Sequence, residues 1–118
     1  MSESLVKASL CIDRRLLSEV ERLRNFENSA LSQVSHVVYL IGLGRKLYYN
    51  LSIIDRSYGV GNLEKEFLKN YPKITIQGSQ RIEYRASSSW LNDLSMIEIN
   101  KFIFFGLKKL QSEVSLNK

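Results

Sequence analysis

The sequence predicts a mainly α-helical domain with one short two-stranded antiparallel β-ribbon. Two short segments, residues 5–12 and 73–77, alternate apolar and polar residues, which is typical of a strand with one buried face. Strongly apolar helical segments follow at residues 32–49 and 96–111. The chain of 118 residues is long enough for one compact core but not for two large ones, so residues 1–118 are predicted to form a single domain.

The first unit, residues 5–49, is predicted to contain a strand and two helices. In residues 5–12, LVKASLCI, four apolar side chains fall on one side of an extended chain. The polar side chains on the other side are Lys7, Ser9 and Cys11. Asp13 is a good N-cap residue for the amphipathic helix that follows. The second helix is apolar around nearly its whole circumference, which indicates burial at the centre of a core.

Residues 50–72 are predicted to form a connector with a short helix that Pro72 terminates. The second unit then covers residues 73–111. Its strand is predicted at residues 73–77, KITIQ, because two isoleucines alternate there with polar residues. The outward side chains of this strand are Lys73, Thr75 and Gln77.

The rest of the second unit is predicted to be helical. Residues 79–90, SQRIEYRASSSW, are predicted to form a short helix with Ser79 as its cap. Ser95 and Glu98 have the spacing of a capping box at the start of the last apolar helix. Residues 112–118 are predicted to fray.

The two units look like copies of one pattern. Residues 31–47 align with residues 94–110 at a constant offset of 63, without a gap. The identical pairs are Leu31 and Leu94, Ser32 and Ser95, Lys46 and Lys109, and Leu47 and Leu110. A unit this small cannot bury an apolar helix alone, and a single strand has two unpaired edges. Both problems disappear if the two units intertwine, with their strands paired antiparallel and their helices in one core.

Two pairs of segments resemble the ribbon-helix-helix family of DNA-binding proteins. They are KASLCIDRRLLSEVERL followed by LSQVSHVVYLIGL, and KITIQGSQRIEYRA followed by LSMIEINKFIFFGL. Members of this family normally act as dimers of one-unit chains. The present chain is similar to a tandem, pseudo-dimeric version of the kind found in some archaeal viral or plasmid-encoded regulators.

The resemblance implies that the ribbon enters the major groove of DNA and reads base edges with its outward side chains. The implied base-reading residues are Lys7, Ser9, Cys11, Lys73, Thr75 and Gln77. Because the two strands differ, the expected DNA site is asymmetric. The resemblance also implies phosphate binding at the starts of the two apolar helices. These positions are Ser32, Gln33, Ser95 and Met96. An ordinary solvated strand face and simple helix capping are the alternative interpretations.

Composition and charge favour the same function. The net charge of +5 favours an anionic partner, and the single histidine, His36, excludes a histidine metal cluster or a catalytic triad. The sequence therefore predicts a protein that is not an enzyme and needs no cofactor or small-molecule substrate. Its expected function is that of a sequence-specific transcriptional regulator bound to double-stranded DNA, with several copies side by side on longer operators.

The predicted location is the cytoplasm, or the host cytoplasm for a viral protein, without contact to a membrane. The N-terminus lacks a signal-peptide pattern, the apolar stretches are shorter than the ~18 residues that span a bilayer, and one cysteine cannot form an intrachain disulfide. Three other interpretations stay open. They are a DNA-binding accessory protein in plasmid transfer or partition, an antitoxin-type module that binds a protein, and a helical protein whose positive charge is incidental.

Overall fold

The computed structural model describes residues 6–27, 30–50, 61–86 and 90–116. Within these residues there are four α-helices and one two-stranded antiparallel sheet. The elements in chain order are β1 (Val6–Asp13), α1 (Arg14–Phe26), α2 (Gln33–Asn50), α3 (Gly61–Asn70), β2 (Ser79–Ala86), a 3₁₀ helix (Trp90–Asp93) and α4 (Met96–Leu116). The predicted class, mainly helical with a short antiparallel ribbon, is confirmed.

The ribbon is formed by β1 and β2, which pair over their full length of eight residues. The register runs from Val6 opposite Ala86 to Asp13 opposite Ser79. Leu10, Ile12 and Ile82 are buried beneath the ribbon, so one face of it closes the core. The alternation that predicted β1 is thus confirmed.

The predicted second strand at residues 73–77 is wrong, and so is the helix predicted at residues 79–90 over its part up to Ala86. Residues 87–89 of that prediction lie outside the described residues. The strand β2 occupies the segment predicted to be helical, where Ile82 and Tyr84 alternate with charged residues. This segment extends far enough to pair with every residue of β1, whereas residues 73–77 are only five positions long. Cross-strand pairing therefore outweighs the helix propensity of the glutamate and arginines in this segment.

Residues 75–78 form a turn that leads into β2. The Thr75 hydroxyl accepts a hydrogen bond from the Gly78 N–H at 3.0 Å, and the Ser79 hydroxyl donates to the Thr75 carbonyl at 2.6 Å. Arg14 fastens the turn to the end of β1, because its backbone N–H donates to the Gly78 carbonyl and its guanidinium to that of Gln77. Ile76, which alternation placed on a buried strand face, is 72% exposed at this turn.

The centre of the core is the packing of α2 against α4, as predicted for the two most apolar helices. The helices approach most closely at two glycines. A Cβ atom at Gly44 would overlap the backbone carbonyl of Phe102, and a Cβ atom at Gly106 would overlap that of Leu40. The two contacts are reciprocal, since each glycine meets the residue four positions before the other glycine.

Gly44 and Gly106 are separated by one residue fewer than the serines Ser32 and Ser95, which precede the helices at the offset of 63 found in the sequence. The helix α4 also extends to Leu116, into the segment predicted to fray.

The remaining helices cover this central pair. The amphipathic face of α1 is buried as predicted, through Leu16, Leu17, Val20 and Leu23. The connector helix α3, also predicted, lies on α4, where Phe67 packs against Phe104 with ring centroids 5.6 Å apart. Two ion pairs flank this contact, Lys101 with Glu64 at 3.3 Å and Lys108 with Glu66 at 3.1 Å.

The ribbon is joined to α4 through the fully buried side chain of Asn100. Its Oδ1 atom accepts from the backbone N–H of Asp13 at 2.9 Å, and its Nδ2 atom donates to the Cys11 carbonyl at 3.0 Å. The same Nδ2 atom also donates to the Met96 carbonyl at 2.8 Å, one turn earlier in α4. One amide thus satisfies backbone groups of β1 at the point where the strand leaves the ribbon.

We expect Gly44→Ala to destabilise the fold by at least about 2 kcal/mol, because the new Cβ atom overlaps a backbone carbonyl that can move only if the helices separate. Gly42→Ala is the matched control in the same helix, since, apart from its chain neighbours and the adjacent backbone of its own helix, no described atom lies within 4 Å of the position that its Cβ atom would take. The control should gain about 0.5–1 kcal/mol from helix propensity. Urea unfolding of both variants measures the difference, and equal effects would contradict the close crossing.

We expect Asn100→Ala to lower the free energy of unfolding by about 2 kcal/mol or more, because it removes the partner of a buried N–H and of a partly buried carbonyl of β1. Asn92→Ala removes the same side chain from an exposed position of the 3₁₀ helix and should stay within about 0.5 kcal/mol of the wild type. Thermal unfolding of the three proteins provides the comparison. A wild-type stability for Asn100→Ala would show that this amide does not anchor the strand.

Candidate nucleic-acid interface

The outward face of the ribbon carries six side chains in two rows. The register places Lys7 opposite Arg85, Ser9 opposite Glu83, and Cys11 opposite Arg81. Side chains of directly paired residues lie on the same face of a sheet, and every second residue returns to that face. Five of the six residues are exposed, and Cys11 is half-buried.

The structure brings together only half of the predicted base-reading residues. Those of β1, Lys7, Ser9 and Cys11, lie on the outward face as predicted. Those predicted from KITIQ, Lys73, Thr75 and Gln77, precede β2 and lie outside the ribbon. The hydroxyl of Thr75 is engaged in the turn, and the carbonyl of Gln77 accepts from Arg14 at 2.7 Å.

The outward residues of β2 that sequence reasoning missed are Arg81, Glu83 and Arg85. A signal for them exists in the sequence, because they alternate with Ile82 and Tyr84 on the other side of the strand. The segment also contains residues that favour a helix, and KITIQ just before it alternates more clearly. Local pattern therefore predicts the strand at KITIQ instead of at β2.

The charges on this face are unevenly distributed. Lys7 and Glu83 form an ion pair at 3.1 Å that runs diagonally across the two strands, with their side chains 54% and 56% exposed. Arg81 and Arg85 form no ion pair with any residue that the structure describes. The outward face therefore has three cations and one carboxylate, and its two arginine guanidinium groups are available to a ligand.

The two predicted phosphate-binding helix starts have different local chemistry. At the start of α2, the Ser32 hydroxyl accepts from the Ser35 N–H at 3.2 Å, and the first turn has no acidic residue. At the start of α4, Ser95 and Glu98 form the predicted capping box, with both hydrogen bonds at 3.1 Å. A carboxylate near a helix N-terminus stabilises the helix but repels a phosphate.

Both predicted phosphate-binding pairs lie at helix N-termini. Ser32 and Ser95 are exposed, while Gln33 and Met96 are half-buried. The first N–H groups of a helix have no acceptor within the helix, so Gln33 offers a backbone donor without a nearby carboxylate in its own first turn. The same position in α4, Met96, lies beside Glu98. Local electrostatics thus favour an anion at α2 over one at α4.

At the end of the ribbon, Asp13 caps α1 as predicted. Burial alone would raise the pKa of Asp13, but hydrogen bonds from the side chain and backbone of Arg15 outweigh it, and the pKa lies below its usual value. The Arg15 guanidinium also lies 5.0 Å from the centre of the Tyr71 ring. These contacts hold the junction between ribbon and helix in one arrangement.

His36 lies in the first turns of α2 and is only 2% exposed. Neither ring nitrogen has a hydrogen-bond partner among the described residues. Burial lowers the pKa of the imidazole, Glu27 and Glu21 raise it, and Arg24 lowers it further, with a net decrease. The side chain is therefore a neutral core residue at pH 7.

Comparison with protein-family models, curated proteins and solved structures gives no match to this chain. None of the helices in the described ranges has the length and apolar character that crossing a bilayer requires. In the same ranges there is no group of three or more acidic, histidine or cysteine side chains that could hold a metal ion. The ribbon face therefore has to be interpreted from its own chemistry.

We expect the free energy of unfolding to fall as the pH is lowered through about 6.5, the ordinary pKa of histidine. As the pH falls below this value, the unfolded chain binds more protons at His36 than the folded chain does, because burial lowers the pKa of His36 in the folded state. The slope is at most about 1.4 kcal/mol per pH unit. Since the chain has one histidine, His36→Leu should flatten the profile between pH 7.5 and 5.5.

The two pH profiles are obtained from urea unfolding at matched ionic strength. At pH 7.5 the leucine variant should be at least as stable as the wild type, because it removes two buried polar atoms without partners. Parallel pH profiles for the two proteins would rule out His36 as the titrating group.

Proposed function

We propose that this protein is a sequence-specific double-stranded DNA-binding regulator that inserts the β1–β2 ribbon into the major groove. The observation that carries the proposal is the outward face of the ribbon, where Lys7, Arg81 and Arg85 are exposed on paired strands. A two-stranded ribbon fits the major groove, and arginine forms a bidentate pair with the O6 and N7 atoms of guanine. Cations on the same face also attract the phosphate backbone.

The proposed architecture is a tandem ribbon-helix-helix unit pair within one chain. In its favour, the two strands come from the two halves of the chain, and Gly44 and Gly106 make reciprocal contacts at the α2–α4 crossing. The second unit departs from the family pattern, because the described residues between β2 and α4 contain only the 3₁₀ helix Trp90–Asp93. The proposal therefore concerns a reduced second unit that keeps its strand and its central helix.

The proposed roles within the interface follow from exposure and charge. Arg81 and Arg85 read guanine, Ser9 donates to or accepts from a base edge, and Cys11 contributes contact area at the edge of the face. The backbone at Gln33 holds a phosphate at the start of α2. Residues 73–77 lie beside the ribbon, and their polar groups are proposed to contact the sugar-phosphate backbone and not the base edges.

We expect the double substitution Arg81→Ala with Arg85→Ala to weaken binding to a selected duplex by about 1–3 kcal/mol per lost guanine contact, or roughly 30-fold or more for the pair. The duplex is first selected from a random pool with the wild-type protein, and affinities are then measured by fluorescence anisotropy at several salt concentrations. Arg22→Ala is the matched control, since it removes an exposed arginine that pairs with Glu19 on α1. It should change the affinity less than twofold.

The salt series separates base reading from general attraction. A lost base contact lowers affinity for the selected duplex more than for unrelated duplexes, whereas each lost phosphate contact reduces the slope of log affinity against log salt by about 0.9. The ribbon proposal fails if the double variant binds the selected duplex as tightly as the wild type while its unfolding curve is unchanged.

A further inference from the structure

Glu83 is the unexpected residue of the ribbon face. It is the one carboxylate among the six outward side chains, and it lies between Arg81 and Arg85 on β2 and opposite Ser9 on β1. A carboxylate in this position repels phosphates and therefore opposes general attraction to DNA. An exposed ion pair such as Lys7–Glu83 adds little to stability, so folding does not require it.

The ion pair holds the carboxylate at the middle of the face. Lys7 reaches Glu83 at 3.1 Å from the neighbouring strand, and both side chains remain more than half exposed. The lysine offsets the charge of the carboxylate and leaves its other oxygen free to accept a hydrogen bond from a ligand. Lys7, predicted as an independent base-reading residue, is thereby engaged in positioning Glu83.

The edges of the four bases in the major groove respond differently to a carboxylate, which can only accept hydrogen bonds. Guanine presents the two acceptors N7 and O6, and thymine presents the acceptor O4 with a methyl group. Adenine presents one donor beside one acceptor, and cytosine presents only the donor N4. A carboxylate in the groove therefore attracts cytosine and disfavours guanine and thymine.

We infer that Glu83 is a specificity-determining residue that selects a cytosine through its N4 amino group, with Lys7 as the positioning residue. This inference rests on the proposed major-groove binding of the ribbon. The exposed carboxylate lowers affinity for DNA in general and recovers affinity only where a cytosine amino group meets it. The protein thus gains discrimination by repulsion of the wrong sequences as well as by attraction to the right one.

The test compares the sites that the full-length wild type and Glu83→Gln select from a random duplex pool. Glutamine keeps the shape of the side chain but carries a donor and an acceptor, a combination that pairs with the N6 and N7 atoms of adenine. We expect one position of the selected site to be cytosine for the wild type and to change to adenine for the variant. The matched control, Glu19→Gln, removes the same charge from α1 and should keep the cytosine.

Affinities for single duplexes make the test quantitative. Replacing the selected cytosine pair by a thymine pair should weaken wild-type binding about tenfold, while Glu83→Gln should lose most of this discrimination. Lys7→Ala should reduce the discrimination as well, because the carboxylate is no longer held in place. Unfolding curves of all variants check that the exposed substitutions leave the fold intact.

Each outcome decides a separate question. If the wild type binds no duplex, the proposed function and the inference both fall. If the wild type selects a site but Glu83→Gln selects the same base at every position, only the role of Glu83 is overturned. A uniform rise in affinity for all duplexes on Glu83→Gln would also overturn it, because the carboxylate would then only repel DNA.

Discussion

The placement of the ribbon depends on one buried side-chain amide. The strands β1 and β2 pair only with each other in the part of the chain that the structure describes, so no larger sheet holds them in position. The buried side chains of Leu10 and Ile12 attach the ribbon to the core by apolar packing, which does not depend on direction. Asn100 instead makes hydrogen bonds to two backbone groups of β1 at defined distances. Packing thus attaches the ribbon to the core. The hydrogen bonds of Asn100 fix the junction between β1 and α1 at one position along α4.

The close crossing of α2 and α4 constrains the helices and the ribbon that pack against these two helices. Glycines at both contact points let the two backbones approach within the space that a Cβ atom would occupy. The contacts are reciprocal, because each glycine meets the backbone four residues before the other glycine. The caps made by Ser32 and Ser95 lie at the starts of the same two helices.

Much of this fold follows from the sequence, because local patterns decide where α1, α2, α3 and α4 form. The apolar stripes, Asp13 as a cap and the capping box of Ser95 and Glu98 are all local signals, and each is present in the structure. The strand β2 is different, because residues 73–77 and 79–86 both alternate. Local preference favoured KITIQ with its β-branched residues, while the choice between them depends on which segment matches β1 along eight residues.

The candidate site shows the same difference between residues that local pattern predicts and residues that long-range pairing determines. Lys7 and Ser9 were predictable, since β1 was found from its own alternation, but their partners could only be assigned once the register was known. The role of Asn100 was hidden for the same reason. A single asparagine within an apolar helix indicates a specific hydrogen-bonding role, but the N–H that donates to it and the carbonyl that accepts from it lie 87 and 89 positions away in the chain. Contacts of such separation are not encoded in any local window.

The observed register also gives β2 more charged and hydrogen-bonding side chains on the outward face than β1 has. The predicted rows were Lys-Ser-Cys and Lys-Thr-Gln, which differ little in charge, whereas the observed β2 row is Arg81, Glu83 and Arg85. Two bidentate donors around a fixed acceptor can distinguish bases by complementary hydrogen bonding, while Ser9 and Cys11 offer weak or ambiguous contacts. For the proposed DNA binding, this asymmetry assigns most of the base discrimination to β2 and leaves β1 to supply Lys7, whose contact with Glu83 joins the two strands.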